Sequence, residues 1–264
     1  MIKFFRKIRQ DLLSKDKTGK YLKYAIGEII LVVIGILIAL QINNWNEQNR
    51  IDKIENTYLT RLSQDLDDNI TSWEKLIQNE EKRHEGIKQF IKFGLNKNKD
   101  SSLSVLPHFN IIGRWDDLTI NQVTFDEMKS SGKLDIISND SIKISLLQLD
   151  QLYKKVFERN NTRKTSHNKY INDPITDVIN TLNFIVLDNA LSELHPKKYT
   201  NEELESHYRL FQSDFFELFN NQRFMNSIVT SMYSYELVLS EIQDAYSKAL
   251  KLKQLIDYEL KNKE

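Results

Sequence analysis

The chain predicts an all-α fold: one N-terminal transmembrane helix, then an elongated helical bundle with long antiparallel helices. Three observations predict it. Only 7 glycines and 3 prolines occur among 264 residues, poor material for turn-dense β folds. Ala25 to Ile42 is apolar almost throughout. Beyond it, apolar residues recur at 3- and 4-residue steps, the period of a helix with one buried face.

Residues 1–24 read as a cytoplasmic basic tail. They carry eight basic groups and two acidic ones, a net charge of +6. Lys plus Arg and Asp plus Glu both total 37 over the whole chain, so the remainder carries −6. Phe5, Ile8 and Leu12 share one face of this tail, with Arg6, Lys7 and Arg9 between them. A topology signal is the favoured reading, and a basic helix lying on an anionic leaflet is the alternative.

Residues 25–42 read as the transmembrane helix. Eighteen residues at about 1.5 Å each reach roughly 27 Å, close to the hydrocarbon thickness of a bilayer. The basic flank keeps the N-terminus inside, and Tyr21, Tyr24 and Trp45 stand where interfacial aromatics belong. The exit, Ile38 to Ile42, lacks two small residues at cleavage spacing, so the segment is expected to persist as a signal anchor. Three positions in it are candidate membrane-helix contacts. Glu28 is a carboxylate in an apolar span, favoured to snorkel to the headgroups and otherwise to meet a partner helix. Gly35 and Ala39 form a small-xxx-small pair that lets a second helix approach.

Residues 43–264 read as a periplasmic α-helical domain. It opens with one long amphipathic helix, or two nearly collinear ones, on the stripe Ile51, Ile54, Tyr58, Leu62, Leu66, Ile70, Trp73, Ile77, which fades across Glu80 to Arg83 and resumes at Ile87 and Ile91. Residues 96–104 are a polar loop, and 105–119, with Pro107 and Gly113, read as irregular. A short helix should end at Ser131, with Gly132 in the left-handed region after it. Ser138, Asn139 and Asp140 offer caps for a helix striped by Ile142, Leu146, Leu149, Tyr153 and Val156. Asp173-Pro174 reads as a cap and first turn of a new helix. Thr200 and Glu203 form a capping box ahead of Leu204, Tyr208, Phe211, Phe215 and Phe219. Finally, Ile228, Tyr235, Ile242, Ala249 and Ile256 repeat every seven residues, with Met232, Leu239, Tyr246 and Leu260 between them and Lys253 the exception. This seam is expected to pack antiparallel on the 51–91 helix, or to form a coiled coil between two copies. Ile111–Ile112 and Leu134–Ile137 could pair briefly as strands.

Several chemistries are excluded or unsupported. No cysteine is present, which removes disulfides, thiolate metal sites and cysteine nucleophiles. The zero net charge argues against nucleic acid as partner. His84, His108, His167, His195 and His207 show no i, i+3 or i+4 pairing, so each reads as a surface histidine. Asp65, Asp67, Asp68 and Asn69 look acidic enough for calcium, but Ile70 and Leu76 occupy the positions an EF-hand gives to glycine and glutamate. A solvated helix face is the better reading. Ser130 to Lys133 matches S-x-x-K in form only, because the glycine between them ends a helix. Trp73, Trp115, Phe211, Phe215, Phe216 and Phe219 read as core rather than ligand box. No catalytic, cofactor-binding or metal residue is therefore assigned.

The stretches Lys3 to Arg9 (KFFRKIR) and Tyr21 to Glu47 (YLKYAIGEIILVVIGILIALQINNWNE) resemble the opening of a family of Bacteroidota membrane proteins, a domain of unknown function. Phe125 to Leu134 (FDEMKSSGKL) is similar to that family's internal motif. The resemblance implies an inner-membrane anchor and a helical periplasmic part, with no reaction or cofactor to carry over. The expected function is a non-enzymatic, membrane-anchored module that binds or scaffolds an envelope partner. The alternative is a signalling or accessory subunit acting through its transmembrane helix on a partner membrane protein. Expected partners are the lipid bilayer and either a second copy of the chain or another membrane or periplasmic protein.

Overall fold

A computed structural model describes residues 18–96, 109, 111–187 and 198–263. The basic tail before Thr18, most of the expected polar loop, Pro107, His108, His195 and Pro196 lie outside the described residues. The elements are α1 (Thr18–Asn96), α2 (Val123–Ser130), a 3-10 turn (Lys133–Ile136), α3 (Asp140–His167), a π turn (Asn168–Asn172), α4 (Asp173–Val178), α5 (Thr181–Leu187), α6 (Asn201–Asn220) and α7 (Gln222–Asn262). No strand occurs among the described residues, and the all-α expectation holds. The strand pairing expected of Ile111–Ile112 with Leu134–Ile137 is absent. The first pair is helical, and the second bends into the 3-10 turn with Ile137 N–H donating to the Leu134 carbonyl at 3.2 Å.

The chain divides into two units, Met1–Thr57 and Tyr58–Glu264. In the first, α1 is long and apolar enough to cross a membrane, and its most apolar window is wholly unburied. Ile29, Leu31 and Leu37 are each more than half exposed. After the apolar stretch the surface turns polar, with Arg50 donating to Glu47 at 3.0 Å and Gln48 to Asp52 at 2.8 Å.

The second unit packs three long helices side by side. α3 runs parallel to α1: Trp73 meets Tyr153 and Glu80 meets Arg163. α7 runs antiparallel to α1, since Ser63 donates to Asp257, Tyr246 donates to Glu74, and His84 stacks on Tyr235. The expected antiparallel pairing therefore forms in cis. Its seam is rotated by one position from expectation: Ala245 and Leu252 are buried with Ile242, Ala249 and Ile256, while Tyr246 and Lys253 are only half-buried. The physical reason is that α7 also packs on α3, where Asn139 donates to Glu259 and Arg159 pairs with Glu241. Its buried face is thus wider than a two-helix seam.

Caps and turns follow local chemistry. Asn139 caps α3, accepting from Ser141 N–H at 3.0 Å and Ile142 N–H at 3.4 Å. Thr200 and Glu203 close the capping box on α6. Gly132 takes φ of 68° after α2, where a Cβ carries a steric penalty. Asp173-Pro174 departs from expectation. Asp173 is right-handed helical, and its N–H donates to the Asn168 carbonyl, an i→i−5 bond. The π turn widens the helix just before Pro174, so the proline ring continues the helical path instead of restarting it.

The acidic run on α1 is also more than a solvated face. Asp65 accepts from Thr124 N–H at 2.9 Å, and Asp68 accepts from the Asn121 side chain at 3.0 Å. Asn69 is buried and pairs twice with the Asn121 backbone, at 2.8 and 2.6 Å. These groups dock the segment leading into α2 and leave no carboxylate cage.

An aromatic core closes the far end of α1. Phe90 lies 5.0 Å from Phe215 and 5.8 Å from Phe224, and Phe93 meets Phe215 edge-on. Gly94 is the close-approach point, because a Cβ there would run into the Phe219 ring. Gly94→Ala is expected to lower stability by about 1–3 kcal/mol through overpacking. Gly132→Ala, where nothing lies within 4 Å, is expected to lose about 1 kcal/mol from backbone strain alone. Thermal unfolding followed by far-ultraviolet circular dichroism checks both.

Candidate functional site

The buried stripe of α1 runs Trp73, Leu76, Glu80, Arg83, Ile87, Phe90, in unbroken 3- and 4-residue steps. The stripe expected to fade at Glu80 instead continues inward as an ion pair. Glu80 and Arg83 are 4% and 5% exposed and pair with each other. Arg163 of α3 approaches the same carboxylate at 3.6 Å. Its guanidinium and that of Arg83 lie over the Trp115 ring, 5.2 and 4.8 Å from the centroid. Burial pulls the Arg163 pKa below the usual arginine value, and Glu80 opposes the shift.

His167 completes this polar layer. It is buried rather than exposed, 5.1 Å from the Trp115 ring, with Nε2 3.3 Å from the Gly113 carbonyl. A carbonyl only accepts, so Nε2 carries the proton and Nδ1 presents a lone pair. Burial holds the His167 pKa down to about 4, and Arg83 and Arg163 add to the shift. His84 and His207 are half-buried: His84 stacks on Tyr235 at 3.8 Å, and His207 donates to Asn183 at 2.7 Å.

On the α7 side of this layer the helix contributes no fully buried side chain between Val229 and Glu241. A cleft of about 390 Å³ opens there, walled by Trp115, Arg163, His167 and Tyr170 on one side and by Asn226 to Ser234 of α7 on the other. A second cavity of about 470 Å³ adjoins it through Thr162, Arg163 and Ser234 and is lined by Leu118, Val156, Leu237 and Ile242. Three cleft-lining hydroxyls of α7 donate into their own helix: Ser227 to the Arg223 carbonyl, Thr230 to Asn226 and Ser234 to Ser231. Beside the cleft-lining Tyr170, the Arg223 guanidinium lies 4.6 Å from the ring centre and the Lys169 ammonium 5.3 Å. Those two cations lower the Tyr170 pKa.

The candidate contacts in the apolar helix lie elsewhere, in the first unit. Glu28, Gly35 and Ala39 fall at i, i+7 and i+11 and so share one stripe of α1. Ala39 is exposed, and nothing lies within 4 Å of a Cβ at Gly35. Among the described residues, no three His, Asp or Glu side chains gather to hold a metal. Trp73 is core as expected, but Trp115 walls the cleft. Glu80, Arg83, Arg163, His167 and Trp115 were not legible as a group. The one local signal was phase, since Glu80 and Arg83 sit in step with Trp73 and Ile87.

The model of a family of unknown function (DUF6090) matches residues 28–189, from Glu28 through α5. That span includes α1 from Glu28 onward and all of α3, with the whole polar layer, whereas α7 lies beyond it. No curated protein and no solved structure matches the chain.

Glu80→Ala is expected to cost about 3–5 kcal/mol, since it strands buried guanidiniums. The double change Glu80→Met with Arg83→Met is expected to cost less than Glu80→Ala alone, measured by denaturant unfolding. His167 sets a pH dependence of known sign. Its folded pKa lies below the ordinary 6.5, so the unfolded chain takes up the proton first. Stability from this group is complete above pH 6.5 and is lost as pH falls toward 4, on the order of 3 kcal/mol in all. His167→Gln should flatten that part of the stability profile.

Proposed function

The chain belongs to the DUF6090 family, and we propose that it is a membrane-anchored helical module that binds an envelope partner or ligand and is not an enzyme. The observation that carries this reading is the apolar stretch of α1, whose side chains find no cover in the first unit. In water an exposed apolar surface of that length is strongly unfavourable, and a bilayer removes the penalty. The +6 charge before residue 25 sets the N-terminus in the cytoplasm and residues 43–264 in the periplasm, with the bacterial inner membrane between. The resemblance of residues 21–47 to a Bacteroidota membrane family agrees with that placement.

The cleft supports recognition over reaction. Ser227, Thr230 and Ser234 direct their hydroxyl hydrogens to backbone carbonyls, so none is poised against a general base. Arg163, Tyr170 and Asn226 instead offer donors around a hollow of small-ligand size. A second reading, a subunit acting through the apolar helix on a partner membrane protein, is favoured by the shared stripe of Glu28, Gly35 and Ala39.

The chain is expected to stay in the membrane fraction after alkaline carbonate extraction, and a C-terminal alkaline phosphatase fusion is expected to be active. Release by carbonate, or an inactive phosphatase with a fluorescent C-terminal GFP, overturns the reading. If the Gly35–Ala39 stripe is a contact with a second copy, Gly35→Ile is expected to weaken self-association of the isolated span in bacterial membranes; unchanged association removes that contact.

A further inference from the structure

Resting on the reading of the α3–α7 cleft as a binding site, we infer that its ligand is a small polyhydroxylated acid of the sugar-acid class, seated with its carboxylate toward Arg163. Charge carries the first half of this inference. No Asp or Glu lines the cleft, and Arg163 is the charged group in its wall. Lys169 and Arg223 flank the ring of Tyr170, which lines the cleft. Behind the wall a single carboxylate, Glu80, faces both Arg83 and Arg163, which leaves that layer with one surplus positive charge. Glu241, in the adjoining cavity, is engaged by Arg159 and Lys155. Glu158 also lines that adjoining cavity and not this one. The neutral His167 adds no charge and offers a lone pair at Nδ1. The Trp115 indole N–H is buried without an acceptor, so its positive end adds to the field at this wall.

Hydrogen-bond polarity carries the second half. Ser227, Thr230 and Ser234 have spent their hydrogens on carbonyls at 3.0, 2.8 and 3.1 Å, so those three oxygens are left as acceptors, beside the Ser231 hydroxyl and the Asn226 amide, which can donate as well as accept. A ligand that satisfies them brings several donors, and one that satisfies Arg163 brings an anionic oxygen. Inorganic phosphate and simple carboxylic acids lack the donor array, and neutral sugars lack the anion. A sugar acid has both, and about 390 Å³ admits a molecule of that size. The same chemistry arises from a free uronate or from the terminal residue of an acidic polysaccharide.

The test uses the full chain in detergent micelles, titrated with glucuronate, its methyl glycoside, glucose and acetate, followed by calorimetry. Glucuronate is expected to bind at least about tenfold more tightly than glucose or acetate, the size of one charge-assisted hydrogen bond. Equal affinity for glucose and glucuronate, or no saturable binding of glucuronate, overturns the inference. Arg163→Gln is expected to weaken glucuronate by about tenfold or more. Because Arg163 is half-buried, Thr230→Val on the exposed rim gives a second reading: it should weaken glucuronate several-fold and leave acetate unchanged. An unaltered glucuronate affinity in Thr230→Val overturns the donor argument. Retained affinity for the methyl glycoside points to a polysaccharide end, and its loss to the free acid. The titration is independent of membrane topology, so its failure leaves the tether standing. Release from membranes by carbonate sinks the tether without touching the titration.

Discussion

The second unit depends on one carboxylate, Glu80, shared between two guanidiniums inside a helical bundle. Removing ions of this kind from water costs several kcal/mol each, and their attraction repays that only where the geometry is close. The constraint therefore falls on register. Glu80 on α1 must lie level with Arg163 on α3, which holds those helices parallel and in step. Trp115 then lies under both guanidiniums and carries the segment before α2 into the bundle.

The polar layer also separates two apolar zones. On one side Leu59, Leu62, Leu66 and Trp73 of α1 are buried, as are Ile142, Leu149, Tyr153, Ile242 and Ile256, with Trp73 meeting Tyr153; on the other, the phenylalanines gather around Phe90 and Phe215. α7 mixes serine, threonine and half-buried tyrosine with half-buried Met232 and Val238 at that level, and the cleft opens there. The π turn at Asn168–Asn172 sits at the same end of α3 and adjusts its path before Pro174. It places Tyr170 and Ile171 in the cleft wall, and π turns are over-represented at functional sites.

The two units pose opposite solvent problems. The first leaves its apolar helix uncovered, which suits lipid. The second buries apolar stripes against one another and keeps its charges at the surface or in pairs. The family match from Glu28 to residue 189 covers parts of both units.

Local sequence was enough for what local physics governs. The apolar run, the α6 capping box, the Asn139 cap and the left-handed Gly132 each depend on a few neighbouring residues, and all were legible. Tertiary structure alone decided the rest. Whether Glu80 and Arg83 face water or the interior depends on a partner charge some 80 residues away in the chain, Arg163, which no window on α1 contains. The rotation of the α7 seam depends on α3 packing beside α1, since a helix with two neighbours buries a wider face than its heptads alone indicate. His167 becomes a buried neutral base only because Trp115, Arg83 and Gly113 close around it, a charge environment assembled from three separate stretches of chain.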